Sequence, residues 1–101
     1  MKEKEIKIIT DDAGNKIGEA EYLDSKLHGI NQLWLSDGQL IERAYFVQGE
    51  FYGSYQSWWG NGKKKEEGEY HHGQQVGIYR WFTEEGDIWQ EHDYGIAEKG
   101  F

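Results

Sequence analysis

The stretch that decides the fold is Gly53 to Phe82, "GSYQSWWGNGKKKEEGEYHHGQQVGIYRWF". It opens on a glycine, reaches tryptophan five residues later, turns at Asn61-Gly62, ends a second run on Tyr70 and opens again at Gly77. Working outward, Gly29, Gly53 and Gly77 are spaced by 24 residues. A second glycine follows nine residues after each, at Gly38, Gly62 and Gly86, with Gly14 one period earlier. Five residues after the leading glycine stand Trp34, Trp58 and Phe82; seventeen after it stand Phe46, Tyr70 and Tyr94, with Tyr22 in the preceding unit. A constant period without insertion is the mark of a repeat architecture.

Each unit reads as a β-hairpin, with about six residues of aromatic and β-branched type, a turn at Asp37-Gly38, Asn61-Gly62 or Glu85-Gly86, and a second strand. No segment carries an apolar stripe at helical spacing, so no helix longer than a turn is expected. The fold expected is therefore all-β, a single elongated, twisted antiparallel sheet of four hairpins. As one repeat domain over 1–101, its units are 4–27, 28–51, 52–75 and 76–99. The first is degenerate, with Glu5 in place of the leading glycine, and reads as a cap.

The faces depend on the turn. A two-residue turn puts Trp34 and Phe46 on opposite faces, whereas a type I turn with a glycine bulge puts them together. Their joint recurrence favours the bulged form. One face then carries Ile30, Trp34, Leu40, Phe46, Trp58, Tyr70, Ile78, Phe82, Ile88 and Tyr94 as scaffold. The other carries Tyr55, Trp59, Tyr79, Trp81 and Trp89, interleaved with Glu67, Glu69, Glu91 and Asp93. These nine resemble aromatic anchors with a charged rim and are the candidate partner-binding residues. A register error of one residue in the second strand would move Trp89 and the acids to the opposite face, leaving Tyr55, Trp59, Tyr79 and Trp81 together. By the same logic Trp58, which recurs as Trp34 and Phe82, is expected to be buried, while Trp59, in a column with Leu35 and Thr83, is left for binding.

Aromatics make up 16% of the chain and all hydrophobics only 37%, so large rings must carry most of the burial. Nineteen acidic residues against 11 basic ones give a net charge of −8. That disfavours nucleic acid and anionic lipid and favours a basic partner surface, such as that of a nucleic-acid-processing enzyme, beside the alternative that the acids only keep the protein in solution. Without cysteine there is no thiolate nucleophile, disulfide or thiolate metal ligand. Ser25, Ser36, Ser54 and Ser57 stand in no nucleophile elbow. His71 and His72 diverge on a strand and cannot chelate one ion without a turn. Glu66, Glu67 and Glu69 read as a solvated strand edge behind Lys63, Lys64 and Lys65. No catalysis, cofactor or metal is expected. The N-terminal apolar run, Ile6 to Ile9 broken by Lys7, is too short for a signal core or a membrane span, which points to a cytoplasmic protein.

On these residues the repeat resembles the MORN (membrane occupation and recognition nexus) family, in its bacterial antitoxin-type variant. The best local matches are the opening stretch and "GINQLWLSDGQLIERAYFVQGEFYG", and the resemblance covers about residues 10 to 95. The departures are Glu5 at the first leading position and a second turn that moves from Gln48-Gly49 and His72-Gly73 to Tyr94-Gly95. The resemblance implies hairpins with a concave binding surface, no enzymatic activity, and an immunity or antitoxin role against a toxin. A scaffold or assembly module, and a phage-borne inhibitor of a nucleic-acid-targeting defence enzyme, are the alternative expectations.

Overall fold

A computed structural model describes residues 3–96; the end of the last expected unit, 97–99, lies outside them. Nine strands follow one another among the described residues: β1 Lys4–Thr10, β2 Lys16–Leu23, β3 Lys26–Trp34, β4 Leu40–Val47, β5 Glu50–Phe51, β6 Gly53–Trp58, β7 Lys64–His71, β8 Gln74–Phe82 and β9 Ile88–Asp93. They form one open antiparallel sheet in the order β1-β2-β3-β4-β6-β7-β8-β9, with the short β5 pairing β4. Among the described residues there is no helix, and hence none long and apolar enough to cross a membrane. With extents of 37 × 36 × 11 Å the sheet is a single layer. Its two sides, not an enclosed interior, must shed the apolar area.

The hairpin turns take the glycine-bulge form. The Gly14, Gly38, Gly62 and Gly86 N–H groups donate to the carbonyls of Asp11, Leu35, Trp59 and Thr83 at 2.9–3.0 Å. All four glycines have φ between +89° and +104°, a region that only glycine enters freely. Between hairpins, Asp24-Ser25, Gln48-Gly49 and His72-Gly73 are two-residue turns with both φ angles positive, the form whose twist matches the strands it joins.

A second irregularity corrects the expected faces. The register steps from Leu33↔Glu42 to Trp34↔Leu40, from Ser57↔Glu66 to Trp58↔Lys64, and from Trp81↔Gln90 to Phe82↔Ile88. One residue is therefore extra in each second strand, Ile41, Lys65 or Trp89, and this bulge restores the parity that the turn glycine had shifted. Phe46, Tyr70 and Tyr94 consequently lie opposite Trp34, Trp58 and Phe82, not beside them. Ile30, Trp34, Leu40, Trp58, Ile78, Phe82 and Ile88 stay together on what is here called the charged face. Phe46, Tyr70 and Tyr94 join Tyr55, Tyr79 and Trp81 on the aromatic face.

The aromatic face is where the core sits. Phe46 packs on Phe51 at 4.6 Å between ring centroids, Phe51 on Tyr70 at 4.8 Å, Tyr70 on Tyr79 at 6.0 Å, and Tyr79 on Trp81 at 4.8 Å. The buried side chains Ala44, Phe46, Ser57 and Tyr79 all belong to it. Tyr79 is seated directly on Gly68, where an added Cβ would lie 2.0 Å from its ring. Ala44 and Ala20 occupy the Gly68 column in earlier repeats, so a small residue recurs there. Trp58, expected to be buried, is only half-buried on the charged face, because a one-layer sheet has nothing to lay over it.

A candidate protein-binding groove on the aromatic face

The five predicted aromatic residues do share one face, but they are not equally available. Tyr79 has no exposed surface, so it serves the scaffold and presents no anchor. Tyr55, Trp59 and Trp81 are half-buried. Trp89 is 60% exposed and leans on Trp81 at 6.4 Å, held on this face by the bulge it occupies. Trp59 is partly committed too: its indole N–H donates to the Phe82 carbonyl at 3.2 Å, and the Lys65 ammonium lies 4.9 Å from its ring centroid.

The four predicted acids lie on the other face. Glu67 accepts from Lys64 at 2.9 Å and Arg80 at 3.2 Å, and Glu91 accepts from Arg80 at 2.6 Å. The hydrogen bond from Lys64 holds the Glu67 carboxyl below its usual range, and that to Glu91 raises the Arg80 pKa. Asp93 accepts the Gly95 N–H at 2.8 Å. Glu69 and Asp93 line a separate hollow of about 590 Å³ beside Val76 and Ile78. His71 and His72 both pack on the Tyr52 ring, at 5.1 Å each, and His72 also reaches Glu50 at 3.4 Å. The rim of acids around the aromatic residues is thus a consequence of the wrong register, and the structure separates it from them.

Two other carboxylates take its place. Glu42 and Glu66 flank Ser57 in directly paired positions, Glu42↔Ser57 and Ser57↔Glu66, on the aromatic face. The Tyr55 hydroxyl donates to Glu42 at 2.9 Å and the Tyr79 hydroxyl to Glu66 at 2.8 Å; the Ser57 hydroxyl is 3.5 Å from Glu66. Burial first, then hydrogen bonds to neighbouring oxygens, push both tyrosine hydroxyls to pKa values well above the ordinary one. Glu66, expected as part of a solvated edge, is half-buried, and so is Glu42. Neither forms an ion pair with a described residue, unlike Glu19, Glu21, Glu67 and Glu91.

The two acids open onto a groove of about 310 Å³ walled by Leu33, Ile41, Tyr55, Ser57, Trp59 and Lys65. A tyrosine hydroxyl occupies only one of the several acceptor positions on a carboxylate. The remaining ones suit a charged N–H donor, and the Trp59 and Tyr55 rings suit the stem or plane of a cationic side chain. A signal in the sequence could have found the pair: Tyr55 follows Glu42, and Tyr79 follows Glu66, by the same 13 residues. Recognising it requires the register, which the glycine columns alone do not supply. Comparison with protein-family models, with curated proteins and with solved structures finds no match to this chain.

Proposed function

We propose that this chain is a non-enzymatic protein-binding module of the MORN-like, antitoxin type. It acts in the cytoplasm by covering a basic surface or active-site cleft of a partner such as a toxin or nuclease. The observation that carries this reading is the pair Glu42 and Glu66, half-buried carboxylates that form no ion pair with a described residue, opening onto a groove with indole and phenol walls. A lysine or arginine of the partner would enter the groove, lay its stem on Trp59 and place its charge between the two acids. The net charge of −8 would speed the encounter, and the exposed Trp89 would extend the contact along the same face.

The test is affinity capture from the native cell with the wild-type protein and with the Glu42→Gln/Glu66→Gln variant, in low and high salt. The expected result is a partner of basic pI that the wild type retains and the variant or high salt releases. A partner held equally by both proteins, or an acidic one, refutes the assignment of the groove. The phage-borne inhibitor differs only in which enzyme is captured.

One observation favours a second reading, the scaffold. Both edge strands, β1 and β9, are exposed along their whole length, and an unpaired edge is a template for another strand. Light scattering over a wide concentration range separates the two: a strict monomer removes the assembly reading.

A further inference from the structure

A continuous row of directly paired residues crosses the charged face: Glu19, Gln32, Arg43, Gln56, Glu67, Arg80 and Glu91. At both ends the charges are matched inside the protein. Glu19 accepts from Lys16 at 2.7 Å, and Lys64, Glu67, Arg80 and Glu91 form a chain of ion pairs. The centre is different. Arg43 forms no ion pair or side-chain hydrogen bond with a described residue, and neither do Gln32 and Gln56 on either side of it. The Arg43 Nε is buried without an acceptor.

The repeat sharpens the anomaly. Arg43 stands in the column of Glu19, Glu67 and Glu91, so a cation replaces the acid that the other units carry. The repeat-equivalent partners that would answer it with a carboxylate are both amides. In a chain of net charge −8, an arginine that pairs with no acid among the described residues leaves its charge unmatched within the sheet.

We propose that Gln32, Arg43 and Gln56 form an anion-binding site for a carboxylate group, on the face opposite the groove and independent of it. The guanidinium supplies a planar fork of donors and the two amides add N–H donors from adjacent strands, about 4.8 Å away on each side. Glu19 and Glu67 lie one strand further out, and each is already neutralised by its own cation, so they do not fill or repel from the site. Trp34 on β3, Tyr45 on β4 and Trp58 on β6, all on this face, give an apolar border that suits the body of an acidic side chain. The overall negative charge disfavours the dianionic phosphate relative to a singly charged carboxylate.

The test uses acetate, inorganic phosphate and chloride at constant ionic strength, read by the nitrogen-proton NMR signals of the Arg43 Nε–H and of the Gln32 and Gln56 side-chain amides. The expected result is that acetate moves the three sets together and saturably, while chloride does not. Arg43→Lys, which keeps the charge and loses the fork, should weaken acetate at least about tenfold. The Gln32→Leu/Gln56→Leu variant, which keeps Arg43, should weaken it several-fold, and this variant carries the test if the arginine substitution unfolds the protein. Shifts that chloride reproduces, shifts unchanged in these variants, or tighter binding of phosphate than of acetate would each overturn the proposal. None of these readouts involves the groove or its partner, so failure here leaves the proposed function standing, and the reverse.

Discussion

Gly68→Ala is the substitution that interrogates the core of this sheet most directly. The backbone at Gly68 is not in the left-handed region, so a methyl group is excluded only by what lies above it. That is the Tyr79 ring, with Cδ2 at 2.0 Å, Cε2 at 2.4 Å and Cγ at 2.7 Å from the added carbon. Tyr79 has nowhere to go: it is fully buried, with Tyr70, Trp81 and Tyr94 around it at 4.8–6.2 Å and its hydroxyl fixed on Glu66. Overpacking of this kind costs about 1–3 kcal/mol, and complete expulsion of the ring would cost the roughly 3–5 kcal/mol of a large-to-small core deletion. Against this, alanine gains about 0.5–1 kcal/mol over glycine in a strand. The net expectation is a loss of about 2 kcal/mol, or about 8–16 °C in Tm for a chain of this size.

The decisive form is a double-mutant cycle in urea, followed by tryptophan fluorescence and far-UV circular dichroism. Tyr79→Ala alone should cost about 3–5 kcal/mol. In that background Gly68→Ala has no ring to strike and should be neutral or stabilising. The coupling is then about 2–3 kcal/mol, far above the roughly 0.5 kcal/mol scatter of independent sites. If Gly68→Ala is harmless in the wild type, or if the two changes simply add, Tyr79 is not seated on Gly68 and the assignment of the core to the aromatic face fails.

Two further outcomes are expected. Trp58→Ala and Trp59→Ala should destabilise to a similar degree, about 1–3 kcal/mol each, because both are half-buried and Trp59 ties the third turn to the Phe82 carbonyl. A thermal melt in which Trp59→Ala is silent and Trp58→Ala severe would restore the division expected from the sequence. In the first turn, the Ser36 hydroxyl at 2.6 Å, with Asn15 next, lowers the Asp11 pKa to about 2. A folded pKa below the unfolded one means stability that is present above about pH 4 and lost as the pH falls through about 2. Carboxyl carbon NMR should place the Asp11 midpoint near 2, and Asp11→Asn should flatten that part of the acid limb; a midpoint at the ordinary aspartate value would remove the Ser36 contact.

The repeat was legible because its signals are local. A left-handed glycine at a fixed offset dictates a turn, and alternation between turns dictates strands, so hairpin count, period and the glycine-bulge turn all follow from the column of Gly14, Gly38, Gly62 and Gly86. The faces were only partly legible because they depend on parity, and parity was altered by a bulge with no residue signature. The bulged positions hold Ile17, Ile41, Lys65 and Trp89, two isoleucines, a lysine and a tryptophan, so no single residue type marks the bulge. The first strand precedes the bulge, and its aromatic residues Tyr55, Trp59, Tyr79 and Trp81 share a face as alternation predicts. The second strand runs on beyond it, so Phe46, Tyr70, Tyr94 and all four predicted acids lie on the side opposite to the one that simple alternation predicts.

A one-layer sheet changes what marks a functional residue. With no interior to fill, most aromatic rings are half-covered, and even Trp89, 60% exposed, leans on the half-buried Trp81, so exposure grades the rings without a sharp division between anchor and strut. Satisfaction of polar groups separates better. Where a cross-strand row is closed, as from Lys64 to Glu91, donors are matched to acceptors and the charges are spent on the sheet. Glu42 and Glu66 on one face and Arg43 on the other are charged groups that the rows do not close. Each is half-buried and forms no ion pair with a described residue, so each gives up part of its hydration without an ionic partner in return. On the proposed reading the two faces carry sites of opposite preference, one for a cation and one for a carboxylate, and the aromatic spine shares its face with the first.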